Sequence, residues 1–285
     1  MKILLLGSSG QLGQSILHRA APNFLTPLTK EALDISDRSD VFLKVNQETP
    51  DIVINAAAFT DVNLAEIHQD KAKKINTNGP RYLVEACSKN DIPIIHISTD
   101  YVFDGNKKSP YLPSDKTGPI GIYGKTKLDG EMYVQEYKFG YVIRTSWLFS
   151  EYGKNFFKTM YALSKKQTEI SVVCDEIGCP TYAGDLADCL ILSSQYILAN
   201  KLIPGIYHYA SSNYCSWYDF AKSIFKEGYA QKKIEKIPSI QPISGELYHK
   251  NCNIRPKYSA LDSSLLSKQI GIDLPDWRSS IQKLF

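Results

Sequence analysis

Tyr123 and Lys127 stand four residues apart in the run Tyr123-Gly124-Lys125-Thr126-Lys127. On a helix, that spacing puts a phenol and an ammonium on one face. A phenol ionises near pH 10 and is a poor acid–base catalyst at neutral pH. A neighbouring ammonium favours the phenolate and brings the proton into working range. The pair therefore suits delivery of a proton to an oxygen that is being reduced, and Lys127 can also hold the ribose hydroxyls of a nicotinamide. Alone, the pattern more often describes a Tyr at a core edge beside a solvated Lys. Ser98-Thr99-Asp100-Tyr101 supplies the context. It ends a β-branched run, and the Thr99 hydroxyl can bond a substrate carbonyl while Tyr123 donates. We read Thr99, Tyr123 and Lys127 as a catalytic triad.

A second motif points to the cofactor. Gly7-Ser8-Ser9-Gly10-Gln11-Leu12-Gly13 follows the first apolar run and opens a helix. Glycines there permit a tight turn and let backbone N–H groups approach a pyrophosphate at the positive helix end. As a bare pattern it also fits an ordinary strand-to-helix turn; its place after the first strand favours a dinucleotide. The next strand should present the residue that reads the adenosine ribose, usually Asp or Glu where NAD is preferred. Thr29 and Lys30 stand there, so NADPH is the expected cofactor, with NADH left open. Asn55-Ala56-Ala57-Ala58 ends the third strand with small side chains, which serve either a cofactor lying on the backbone or tight packing.

These groups need a scaffold that brings strand ends together. Short apolar runs over 3–6, 24–29, 51–56, 92–99 and 141–147 alternate with helical stretches over 11–20, 39–48, 80–90 and 123–137. Continuous β-branched runs between helices indicate strands covered on both faces, hence a parallel sheet. Right-handed crossovers make this an α/β doubly wound fold of the Rossmann kind. Residues 1–150 form the dinucleotide-binding domain, with a helix over 185–199 returning to it. Residues 151–180 and 200–285 read as a smaller, less regular substrate lobe.

Composition removes other classes. The chain has 285 residues, 33 Lys+Arg against 30 Asp+Glu, and no basic run, so nucleic acid is not an expected partner. No apolar stretch approaches the roughly 20 residues of a membrane span. The six cysteines (87, 174, 179, 189, 215, 252) show no CxxC pair and read as reduced, mostly core-filling thiols in a cytoplasmic protein. The five histidines lack paired ligand spacing, and His96, inside a strand, reads as packed rather than ligating.

The chain resembles the extended short-chain dehydrogenase/reductase superfamily and, within it, the dTDP-4-dehydrorhamnose reductase family. The motifs are GSSGQLG (7–13), NAAAFTDVNLAE (55–66), STDYVFDG (98–105), YGKTKLDGE (123–131), RTSWLFS (144–150), GCPTYAGDLA (178–187), SWYDFA (216–221) and RPKYSALD (255–262). The resemblance implies reduction of the C4 ketone of dTDP-4-dehydro-6-deoxy-L-mannose. It implies that Gly7, Ser9, Gly10, Gln11 and Leu12 meet the dinucleotide, that Asp34 and Ile35 flank the adenine, and that Ala56, Ala57, Ala58, Phe59 and Thr60 line the cofactor path. Thr99, Asp100 and Tyr101 then meet the sugar, Trp147 offers it an apolar face, and Arg255 pairs with the diphosphate. Some members dimerise through metal ions held by C-terminal glutamates. Residues 277–285 carry no carboxylate, so no metal is expected, and the chain should be a monomer or weak homodimer. The alternatives are a reductase or epimerase of another nucleotide sugar, or a non-catalytic binding subunit such as the β subunit of methionine adenosyltransferase, which resembles the same family.

Overall fold

The computed structural model describes residues 1–249 and 255–285. Its centre is a six-stranded parallel sheet in which β1 (Ile3–Leu6), β2 (Leu25–Leu28), β3 (Ile52–Asn55), β4 (Ile94–Thr99), β5 (Gly140–Thr145) and β6 (Gly205–His208) stand in the order β6-β5-β4-β3-β1-β2. Every residue of β1 and β3 is buried, as strands covered on both faces require. Alternate residues of β1 feed opposite cores. Ile3 and Leu5 join Ile16 of α1 (Gln11–Arg19), whereas Leu4 and Leu6 join Val41 and Val45 of α2 (Arg38–Glu48). The second core also takes Leu83 of α3 (Gly79–Cys87) and Val134 of α4 (Ile122–Gln135).

The chain leaves β1 in one direction across the sheet and β3 in the other, so a crevice opens between their carboxyl ends. Leu6 pairs with Asn55, which makes those ends level. Gly7 takes φ +75, and a Cβ there would sit 2.7 Å from the Ala57 nitrogen. Helix α1 then packs so closely that a Cβ on Gly13 would lie 2.6 Å from Ser8 Cα. Helix α5 (Ala183–Leu198) lies on α1, with Leu186 and Leu190 in the first core.

A separate core of Phe157, Ile170, Val172, Phe220, Ile224 and Trp277 holds the remaining lobe together. Its main helix is α6 (Trp217–Ala230), which starts with a capping box between Ser216 and Asp219. Two sequence expectations are corrected here. Residues 205–208, assigned to the smaller lobe, are the sheet's edge strand β6; four residues that follow Pro204 and begin with Gly205 are too short to show a period. Trp147, expected to end the fifth strand, lies beyond Thr145 with φ +45. Among the cysteines, 87, 179, 189 and 215 are buried, Cys174 is exposed, and Cys252 lies outside the described residues.

Candidate active site

The carboxyl ends of β1, β3, β4 and β5 line one cleft of about 740 Å³, within the usual range for a small-molecule site. Its wall includes Gly7, Ser9, Gly10, Gln11, Leu12, Lys30, Asp34, Ile35, Ala56, Ala57, Ala58 and Thr60 from the dinucleotide side. It also includes Thr99, Asp100, Tyr101, Tyr123, Lys127, Trp147 and Arg255. Two expected residues are not part of it. Thr29 lies in the turn after β2, beside the Glu31 carboxylate, and does not line the cleft, whereas Lys30 does. The Phe59 N–H donates to Asn76 Oδ1 at 2.8 Å and its carbonyl accepts from Asn76 Nδ2 at 3.1 Å, while its ring lies under Lys71.

Helix α1 begins without a side-chain cap because its N-cap is Gly10. The amides of its first turn therefore remain free to bond an anion, which the helix dipole also favours. This fits the pyrophosphate of a dinucleotide. The Gln11 side chain is spent on Leu148 O, Ser150 and Asn155, which leaves only its backbone N–H to face the cleft. The Asp34 carboxylate is likewise engaged, accepting from the Ser36 hydroxyl and N–H, which holds it below its usual range.

Tyr123 and Lys127 rise from the first turns of α4 on its sheet-facing side. A Cβ on Gly124 would strike the Tyr101 carbonyl, so glycine there lets the helix settle against the segment that follows β4. Burial pushes the Tyr123 phenol up to about 12, with the nearby Thr99 hydroxyl acting the other way. The sequence expectation that Lys127 lowers this pKa is not met in the unliganded protein. Lys127 Nζ is held instead by Ile97 O at 2.6 Å and His96 Nε2 at 3.1 Å. Burial brings its own pKa down to about 8, opposed by the charge of Glu131. Thr99 Oγ1 donates to Asp100 Oδ1 at 3.1 Å and accepts from the Tyr101 N–H. Asp100 is buried, its Oδ2 has no partner among the described residues, and burial raises it to about 7.

The RmlD substrate binding domain family matches residues 1–285. A dTDP-4-dehydrorhamnose reductase from Aggregatibacter actinomycetemcomitans is 38% identical, covering 99% of this chain and 98% of its own. This chain belongs to the dTDP-4-dehydrorhamnose reductase family. The crystal structure of a dTDP-4-dehydrorhamnose reductase from Bacillus anthracis in complex with NADP superposes with a TM-score of 0.91 at 36% identity, covering 100% of this chain and 99% of that one. A UDP-glucose 4-epimerase from Thermotoga maritima, 17% identical over 99% of this chain and 96% of its own, has the same fold at a TM-score of 0.80.

Against the family's motifs, the cleft contains residues that reading the sequence did not single out. Trp217, the first residue of α6, stacks on Trp147 with ring centroids 3.4 Å apart and planes 4° apart. Gly178 makes room for this, since a Cβ there would lie 2.6 Å from the Trp147 indole nitrogen. An aromatic residue at φ +45 is uncommon, and the stack holds it there. The SWYDFA motif contained Trp217, but nothing local indicated its partner. Lys154 adds a cation to the same wall. Arg255 reaches Asn63 Oδ1 at 3.5 Å, and its Nε is buried without a partner among the described residues.

Proposed function

We propose that this chain reduces the C4 ketone of dTDP-4-dehydro-6-deoxy-L-mannose to dTDP-L-rhamnose with NADPH. The reading is carried by one observation: an uncapped helix start, a phenol and a threonine hydroxyl share a single cleft in a member of this reductase family. Bound NADPH supplies the hydride. The amides of the first turn of α1 hold its pyrophosphate, and Lys30 stands where a 2′-phosphate needs a cation.

Tyr123 reaches the reaction protonated, which is the state its burial favours, and donates to the C4 oxygen. The Thr99 hydroxyl turns from Asp100 to the same oxygen and, with Tyr123, steadies the charge that develops there. A protonated Lys127 stabilises the phenolate that remains. On the substrate side, Asp100 and Tyr101 contact the sugar, Trp147 covers its apolar face, and Arg255 pairs with the diphosphate. Residues 151–180 and the part of 200–285 outside β6 serve as the substrate lobe, and the chain works without a metal as a monomer or weak homodimer.

The test follows NADPH absorbance with the dTDP-keto sugar generated in situ by the preceding epimerase. Wild-type protein should consume NADPH, and Tyr123→Phe should lose on the order of 10²–10⁴ in kcat. Full activity in that variant would remove Tyr123 from the chemistry. An epimerase would show no net consumption, and a binding subunit would take up NADPH without turnover.

A further inference from the structure

His96 has no exposed surface, and both nitrogens of its ring are bonded. Asn55 Nδ2 lies 3.1 Å from Nδ1, and Lys127 Nζ lies 3.1 Å from Nε2. The direction of these bonds follows from the next partner along. Asn55 Oδ1 accepts from the Ala57 N–H at 3.1 Å, so the amide turns its NH₂ group towards the ring. The opposite orientation would set that NH₂ against the Ala57 N–H. Nδ1 must then accept, and a neutral imidazole that accepts at Nδ1 carries its proton on Nε2. That N–H faces Lys127. An ammonium has only donors, so it would oppose N–H to N–H in a dry core, whereas a neutral amine accepts through its lone pair. The amine still has an N–H to give to Ile97 O at 2.6 Å.

We propose that His96 is a positioning residue acting through Lys127: it donates from Nε2 to Nζ and favours the neutral amine over the ammonium there in the unliganded protein. The charges around Lys127 agree. Glu131, one turn along α4, is bound by Arg144 of β5, with Nε 3.0 Å from Oε1 and Nη2 2.6 Å from Oε2. Tyr123 presents a neutral phenol, and Asp100 beyond it is raised to about 7. Among the described residues no carboxylate forms an ion pair with Nζ. Burial also holds His96 well below the usual imidazole range, so its ring stays neutral. Lys127 thus gives up its proton at a lower pH than a solvated lysine does.

Two readouts test this, and only the second rests on the reductase reading. In unliganded protein labelled with [¹⁵N]histidine, His96 should show a pyridine-type Nδ1 and a pyrrole-type Nε2, with no change where exposed imidazoles titrate. The spectrum of His96→Gln assigns the signals. An Nδ1–H tautomer or a titrating ring overturns the proposal.

The kinetic readout is the pH profile of kcat/KM, which reports the free enzyme. Wild type should lose activity above about pH 8 as Lys127 sheds its proton. In His96→Asn, whose amide is too short to reach Nζ, that fall should move up by about one unit. His96→Gln can place an N–H where Nε2 stands and should keep the wild-type profile. A loss uniform across pH in folded His96→Asn, or an equal shift in both variants, overturns the donor role. If no protein consumes NADPH with the dTDP-sugar, the reductase reading fails while the tautomer still decides this one.

Discussion

Asp100 carries its proton into a pH range where an ordinary carboxyl group has lost it. Burial raises it to about 7, against hydrogen bonds from Ser259 and Thr99. The folded protein therefore binds this proton more tightly than the unfolded chain does. Its contribution to stability is full near pH 4 and declines as pH rises through 7. Asp100→Asn, neutral throughout, should be more stable than wild type at pH 8 by on the order of 1 kcal/mol or more, with the advantage gone near pH 4. Urea melts without ligand measure this, and parallel stability curves would refute it. The same variant should raise KM for the sugar nucleotide and leave NADPH binding unchanged. At this scale the sequence was informative where spacing alone sets geometry, as for Tyr123 and Lys127. It was misleading at Thr29, which stays outside the cleft that its neighbour Lys30 lines, an outcome that depends on where β2 stops. It was silent on Trp217, because the contact with Trp147 joins distant segments.

The turn from β1 into α1 works because two segments of backbone come within contact distance. Gly13→Ala should overpack this approach and cost about 1–3 kcal/mol, since the atoms it meets are backbone of Gly7 and Ser8 and cannot step aside. NADPH titration followed by fluorescence should show weaker binding in the same variant. Unchanged melts and unchanged affinity would mean that α1 shifts freely. Most elements around this turn were legible because β1 and β3 are nearly all apolar, β4 opens on Ile94 and Ile95, and α1 and α3 each bury one apolar face. Strand β6 was not, since Gly205–His208 offers too few residues and takes its place only by pairing with β5. His96 was read correctly as buried, but burial in β4 hid its bonds, which depend on β3 and α4 arriving from elsewhere in the chain.

For the whole molecule, the cleft lies where the sheet and the lobe around α6 meet, so a ligand there stabilises both. NADPH at a hundred times its Kd should add about 2.7 kcal/mol to stability. NADH at the same concentration should raise Tm less, because it has no 2′-phosphate for Lys30. An equal or larger rise with NADH would remove that lysine's role. Chelation with EDTA should leave activity, Tm and hydrodynamic size unchanged; loss of any of these would point to a metal.

The two indoles at the mouth of the cleft also make the molecule its own optical gauge. Trp147 follows the sheet strand β5 and Trp217 begins the lobe's main helix, yet their rings lie face to face at 3.4 Å. Transition dipoles this close couple, so the circular dichroism should carry a split band that neither chromophore produces alone. The third tryptophan, Trp277, is fully buried in the lobe's core and supplies a fixed background. The split band should vanish in Trp217→Phe. In wild type, its amplitude during stopped-flow mixing would record, without any attached dye, when the two halves of the protein slide or part around a substrate.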